Sequence, residues 1–300
     1  MIKKTIYFGN PAHIRIEYKQ LKITLKTDPP QEKSIPVEDI GIVIIDHPQI
    51  SITSGAISEL MTNNVAIIAC NNAYMPQALM LPFEGHHTQT QRMHAQINAS
   101  EPLKKNLWMQ TIQAKIYNQA ILLEKQGVHH HPLHYFMKTV KSGDSSNREA
   151  AAANYYWSKL FANIPNFTRD AKGAYPNNFL NYGYAILRSV CARALVAAGL
   201  FPSLGIYHHN KYNAYCLADD IMEPYRTYVD MIVIQIINKY PDKKELDKDI
   251  KKELLNIPHI DTYVEDQISP LMIAIQKTAT SLAHCFLGEK KKIIYPKLKI

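Results

Sequence analysis

Residues 13–26 read HIRIEYKQLKITLK, and the alternation in this stretch decides the first part of the fold. Ile14, Ile16 and Tyr18 alternate with His13, Arg15 and Glu17; past Lys19-Gln20, Leu21, Ile23 and Leu25 alternate with Lys22, Thr24 and Lys26. A period of two on both sides of a short break predicts a hairpin with one buried face. Outward from it, 42–45 and 65–69 are unbroken apolar runs, the pattern of strands covered on both faces. Residues 54–62 between them predict one short helix stopped at Asn63-Asn64, and prolines at 11, 29, 30, 36, 76 and 82 cut the region into small pieces. Residues 1–85 therefore read as a compact β-sheet domain.

From about residue 86 the period changes. Ser100 is placed to cap a helix with Pro102 in its first turn, and Leu107, Ile112 and Ile116 recur at near-helical spacing up to Gly127. A His-rich turn (129–131) leads to a short helix ending near Val140, the loop KSGDSSN follows, and a helix carrying Glu149 runs to about Ala162. Further helices are expected at about 178–198, 219–239, 243–255 and 268–287. The fold class is α+β: an N-terminal β-sheet domain followed by a larger, all-α catalytic domain over residues 86–300.

The net charge of +8 favours an anionic partner, nucleic acid or an acidic membrane surface. Cys70, Cys191, Cys216 and Cys285 form no CxxC pair, so reduced thiols in a cytoplasmic protein are the plain reading. The apolar stretch after Lys3-Lys4 is too short for a signal peptide, and no run reaches the length of a membrane span.

Three segments carry candidate chemistry: SSNREAAAANYYW at 145–157, GIYHH at 205–209 and ADDIMEP at 218–224. Ser146-Asn147-Arg148-Glu149 fits a capping box in which Glu149 reaches back to the Ser146 amide. The alternative is that Glu149 points into a cleft as a metal ligand, and nothing local decides between them. Asp220 and Glu223, three apart, share one face of a helix. Acids in a first turn also complement the helix dipole, yet Asp219, Asp220 and Glu223 exceed what capping needs. Pro224 places the start of that helix just before them. Taken with His208, the carboxylates suit Mg²⁺ or Mn²⁺ better than Zn²⁺, and such sites act on phosphodiesters. Tyr155, Tyr156, Tyr182 and Tyr184 are candidates to stack on unpaired bases. The clusters at His129–His131 with His134, and at His86, His87 and His94, read as polar turns. Lys290–Lys292 begin a basic tail, a weak signal for phosphate contact.

Arg148-Glu149 with its small run and Tyr156-Trp157, LNYGYAIL at 180–187, Gly199-Leu200 to His208, and LADDIMEP at 217–224 stand in order and at suitable separations. Together they resemble the CRISPR-associated protein Cas-one family, integrases that insert new spacers into CRISPR arrays, and the wording at 144–149 and 217–224 is most similar to members from type II systems. The resemblance covers essentially the whole chain. It implies that Glu149, His208 and Glu223 ligate the metal, with Asp220 assisting as a fourth catalytic residue. Many relatives carry glycine where this chain has Ala150, and some have aspartate where Glu223 stands.

The activity implied is metal-dependent transesterification with Mg²⁺ or Mn²⁺, together with DNA endonuclease activity. A DNA fragment's 3′-hydroxyl attacks a phosphodiester at the CRISPR repeat border. Implied partners are prespacer and repeat DNA, a homodimer formed through the β domain, a dimer of Cas-two, and the effector nuclease of the same system; no membrane is involved. Two rivals stand beside it: a metal-dependent nuclease hydrolysing branched DNA without integration, and a non-catalytic DNA-binding module whose acids merely cap helices.

Overall fold

The computed structural model describes residues 3–299 and divides the chain into two compact units, one ending at His87 and one beginning at Thr88. The first is built of β1 (Lys4–Phe8), β2 (Ala12–Glu17), β3 (Gln20–Leu25), β4 (Gln31–Pro36), β5 (Ile40–Ile45), β6 (Ile50–Ile52), α1 (Ser54–Thr62), β7 (Ala66–Cys70) and β8 (Pro76–Met80). β2 and β3 form the antiparallel hairpin with Ile14 opposite Ile23 and Ile16 opposite Leu21, in a sheet of order β4-β3-β2-β6. The second sheet, β1-β5-β7-β8, is parallel across β1, β5 and β7 and antiparallel at its β8 edge. Its central strands are apolar without a break because both faces are covered. Ile14, Leu21, Ile23, Ile40, Val43 and Ile67 share one core with Ala56 and Leu60 of α1.

The second unit contains α2 (Gln89–Ile97), α3 (Glu101–Lys125), α4 (His131–Lys138), α5 (Arg148–Leu160), α6 (Asn177–Ala197), α7 (Cys216–Met222), α8 (Arg226–Lys239), α9 (Lys248–Leu254), β9 (Asp261–Val264), β10 (Gln267–Pro270) and α10 (Leu271–Phe286). It is not all-α as expected: β9 and β10 pair as an antiparallel ribbon. Its turn is Glu265-Asp266, both at positive φ, a two-residue connection without the glycine that advertises such turns. Nor does one helix span 219–239. A 3₁₀ turn, Glu223–Tyr225, with Pro224 inside it, separates α7 from α8. Proline cannot supply the amide that a continuous helix would need there.

α3 and α6 are the buried axes of this unit. Ser100 caps α3 through the Leu103 amide, and α3 packs on α4, α5 and α8, while α6 packs on α7, α8 and α10. Tyr295 and Leu298 are part of this packing. Asn118 of α3 accepts from the Leu298 amide at 2.9 Å and donates to the Pro224 carbonyl at 2.7 Å, and the Tyr295 hydroxyl meets Thr111 at 2.8 Å. Among the described residues, no helix is long and apolar enough to cross a membrane.

Candidate metal centre

The capping-box reading of Glu149 does not hold. Asp144 caps α5 instead: its two carboxylate oxygens accept from the Arg148 and Glu149 amides, each at 2.9 Å. The loop reaches that position through left-handed backbone at Gly143, Asp144 and Asn147, while the Ser146 hydroxyl donates to the Thr139 carbonyl. A cap four residues earlier satisfies the first amides and releases the Glu149 side chain.

Glu149 turns to α3, where Lys115 Nζ lies 2.7 Å from its Oε1 and 2.6 Å from Oε2 of Glu223. The other Glu223 oxygen takes Arg226 Nε at 2.8 Å. Lys115 and Glu223 are largely removed from bulk water while Arg226 is half-buried, and burial alone would push the lysine down and the carboxyl up. Opposite charge outweighs it: Arg226 and Lys115 hold the Glu223 carboxyl down at about 2, and the two carboxylates hold Lys115 above its ordinary value. Glu223 Oε2 is buried, and the ammonium at 2.6 Å is its close partner, a charge-assisted contact.

Asp220 does something different from Glu223, although the two are three residues apart. It is fully buried, and its Oδ2 accepts from the amides of Ile206 (2.7 Å) and Tyr207 (3.0 Å) while Oδ1 faces the His208 amide (3.3 Å) and Nδ1 (2.5 Å). The carboxylate is thus a clasp around the loop that presents His208. Burial raises the Asp220 carboxyl, against the pull of the imidazole; the hydrogen bond to Asp220 in turn raises the His208 ring. Gly205 makes the clasp possible, because a Cβ there would stand 2.3 Å from the His208 carbonyl oxygen and 2.8 Å from Asp220 Oδ2. Behind the loop, buried Trp108 stacks on Tyr207 at 4.2 Å and meets the His208 ring edge-on at 5.6 Å. Nδ1 is committed to the carboxylate, which leaves Nε2 as the nitrogen to act. Asp219 is spent on Arg188, which grips it at 2.6 and 3.0 Å, with Asn213 at 2.7 Å.

Glu149 and Glu223 therefore converge on one cation position, while His208 makes its contact with Asp220. Among the described residues, no three His, Cys, Asp or Glu side chains gather tightly enough to form a closed metal cage. The donors fit a divalent cation in kind, since two carboxylates already focus on one positive charge and oxygen donors suit hard cations. Beside them opens a cavity of about 510 Å³ lined by Lys115, Arg169, Arg188, Glu223, Arg226 and Asp230, among others.

Of the four tyrosines expected to stack, Tyr155 is partly exposed and the other three do not serve. Tyr156 and Tyr182 are fully buried and Tyr184 nearly so, which removes them as stacking surfaces. Tyr156 donates to Asp230 at 2.7 Å, and Tyr184 donates to its other oxygen. Lys115, Arg226 and Asp230 escaped the sequence reading. The available signal was a charged residue on the apolar face of a helix: Lys115 between Ile112 and Ile116, Asp230 between Val229 and Met231.

The fold has solved counterparts. A casposase bound to integration product superposes at TM-score 0.79 with 22% identity, covering 98% of this chain and 92% of that one. A Cas1 protein from Thermotoga maritima superposes at 0.76 with 15% identity, covering 96% and 98%. A Cas6-RT-Cas1–Cas2 complex superposes at 0.74 with 20% identity, with 99% of this chain matched to 36% of that one. The architecture, a β-rich unit followed by a helical unit, is that of the Cas1 fold. The chain belongs to the family described as CRISPR associated protein Cas1, whose model matches residues 6–265. It is 34% identical to the CRISPR-associated endonuclease Cas1 of Neisseria meningitidis over 94% of this chain and 91% of the relative. It is 26% identical to a CRISPR-associated endonuclease Cas1 of Francisella tularensis subsp. novicida over 81% and 82%.

Proposed function

We propose that this chain is a metal-dependent DNA integrase and endonuclease of CRISPR adaptation. The observation that carries the reading is the convergence of Glu149 and Glu223 on a single cation position at the edge of an arginine-lined cavity. Glu149 and Glu223, with His208, would hold Mg²⁺ or Mn²⁺, which when bound neutralises charge on a phosphate and makes the attacking hydroxyl more acidic. Arg169, Arg188 and Arg226 are tethered by neighbours, so they offer fixed positive charge to a phosphodiester at little cost in ordering.

In the proposed reaction, the 3′-hydroxyl of a DNA fragment forms a new bond to phosphorus at the repeat border and the bond to the repeat strand's own 3′ oxygen breaks. One phosphodiester replaces another, so no nucleotide cofactor is required. His208 Nε2 is suited to ligation or to taking the hydroxyl proton, with Asp220 holding the ring in place.

Around this chemistry we propose a cytoplasmic protein of a type II system. It pairs as a homodimer through the unit that ends at His87, and it works with a Cas2 dimer and the effector nuclease of its own system. The decisive experiment incubates the protein and its Cas2 with a labelled fragment, a supercoiled repeat plasmid and Mn²⁺. Joined product supports the integrase; cleavage without joining supports a hydrolytic nuclease on the same site. Glu149→Gln and His208→Ala should each lower joining by about 10²-fold or more while remaining folded by circular dichroism. Folded variants that still join at the wild-type rate would remove the site.

A further inference from the structure

Lys115 stands where two carboxylates demand a cation, at the edge of an open cavity. One carboxylate balances the charge of a buried lysine, although its ammonium has three N–H donors to place. Here the ammonium is shared between Glu149 at 2.7 Å and Glu223 at 2.6 Å, so two carboxylates hold one lysine. Arg226 already neutralises Glu223 from its other oxygen, so charge balance on that residue alone does not require a second cation.

The spacing carries the next step. A dication draws carboxylate oxygens to roughly 2.0–2.6 Å, so the gap now spanned by the ammonium admits a metal with only a small contraction. The two cannot share it: positive charges this close inside a low-dielectric pocket repel strongly. Lysine, unlike the guanidinium of Arg226, is a point charge on a flexible four-carbon stem and can withdraw. The cavity that Lys115 itself lines, about 510 Å³, gives it somewhere to go.

We propose that Lys115 is an exchangeable internal cation. It holds Glu149 and Glu223 together when no dication is bound, yields the shared position when one enters, and then presents its ammonium to a phosphate in the cavity. Metal affinity is thereby set by a competition built into α3. The inference rests on the metal reading above.

The test measures Mn²⁺ binding by calorimetry and electron paramagnetic resonance on the full chain, for wild type, Glu149→Gln, Lys115→Met and Lys115→Arg, without DNA. Lys115→Met should bind Mn²⁺ about tenfold or more tightly than wild type, because the competing charge is gone. Its unfolding temperature should fall without metal and recover with Mn²⁺, while Lys115→Arg should bind no more tightly than wild type. A folded Lys115→Met that binds Mn²⁺ no better than wild type overturns the proposal. Should Lys115→Met fail to fold alone, rescue by Mn²⁺ during refolding supports it and absence of rescue overturns it. A wild type showing no Glu149-dependent Mn²⁺ uptake overturns the metal reading, and this one with it.

Discussion

Asp220 and Asp230 are two buried acids with opposite tasks, and each can be tested alone. Asp220 holds the 206–208 backbone and the His208 ring, so Asp220→Asn removes the charge that raises the imidazole. The His208 midpoint followed by NMR titration should move down in that variant, and joining activity should drop by about 10–100-fold, the usual cost of losing the partner that orients a ligand. An unmoved midpoint would count against the clasp. Asp230 is raised by burial to about 6, from an ordinary 3.8, against hydrogen bonds from Tyr184 and Tyr156. Its folded form keeps the proton longer than the unfolded chain does. The stability it contributes is complete below the unfolded value and is lost as pH rises through about 6, a span of about 3 kcal/mol. Glu223 runs the other way: its contribution is present above the ordinary carboxyl value of 4.5 and is lost as pH falls toward about 2. Urea titrations between pH 4 and 7 should show the decline with pH in wild type and its absence in Asp230→Asn.

At the scale of elements, α5 shows how a local rule was satisfied by the wrong residue. The spacing Ser146-x-x-Glu149 is a true capping pattern, but Gly143 and two left-handed residues let Asp144 arrive first. Asp144→Ala should cost about 1 kcal/mol through the lost cap, read by denaturant unfolding. The same variant should weaken Mn²⁺ binding, because Glu149 becomes free to turn back to its own helix start. The break at Glu223–Tyr225 was equally hard to see. A proline in a first turn and a proline in a 3₁₀ joint look alike in one dimension, and only the packing of α7 and α8 on α6 distinguishes them. The β9–β10 ribbon lacks a glycine turn, so periodicity over four-residue strands carried too little signal.

For the whole molecule, the +8 charge fits the proposed grip on DNA phosphates. Affinity for a short duplex, measured by fluorescence anisotropy, should therefore fall steeply with salt, log K dropping by about 0.9 per phosphate contact for each tenfold rise. A flat response would remove electrostatics as the source of binding. Much of the architecture was legible in the sequence. The hairpin at residues 13–26 and the helix at 54–62 are statements about neighbours in the chain, where side-chain period and capping chemistry act directly. Glu149, His208 and Glu223 were named from their types and from the resemblance. Which of them share a partner was not written there. Lys115, more than thirty residues before Glu149 and more than a hundred before Glu223, meets both only because α3, α5 and the α7–α8 joint pack together. The chain by itself determined the elements and the kinds of donor, since local geometry and polarity need no distant contact. The tertiary structure alone decided that two carboxylates face one ammonium while the third acid serves a histidine loop, because convergence of charges is a property of packing.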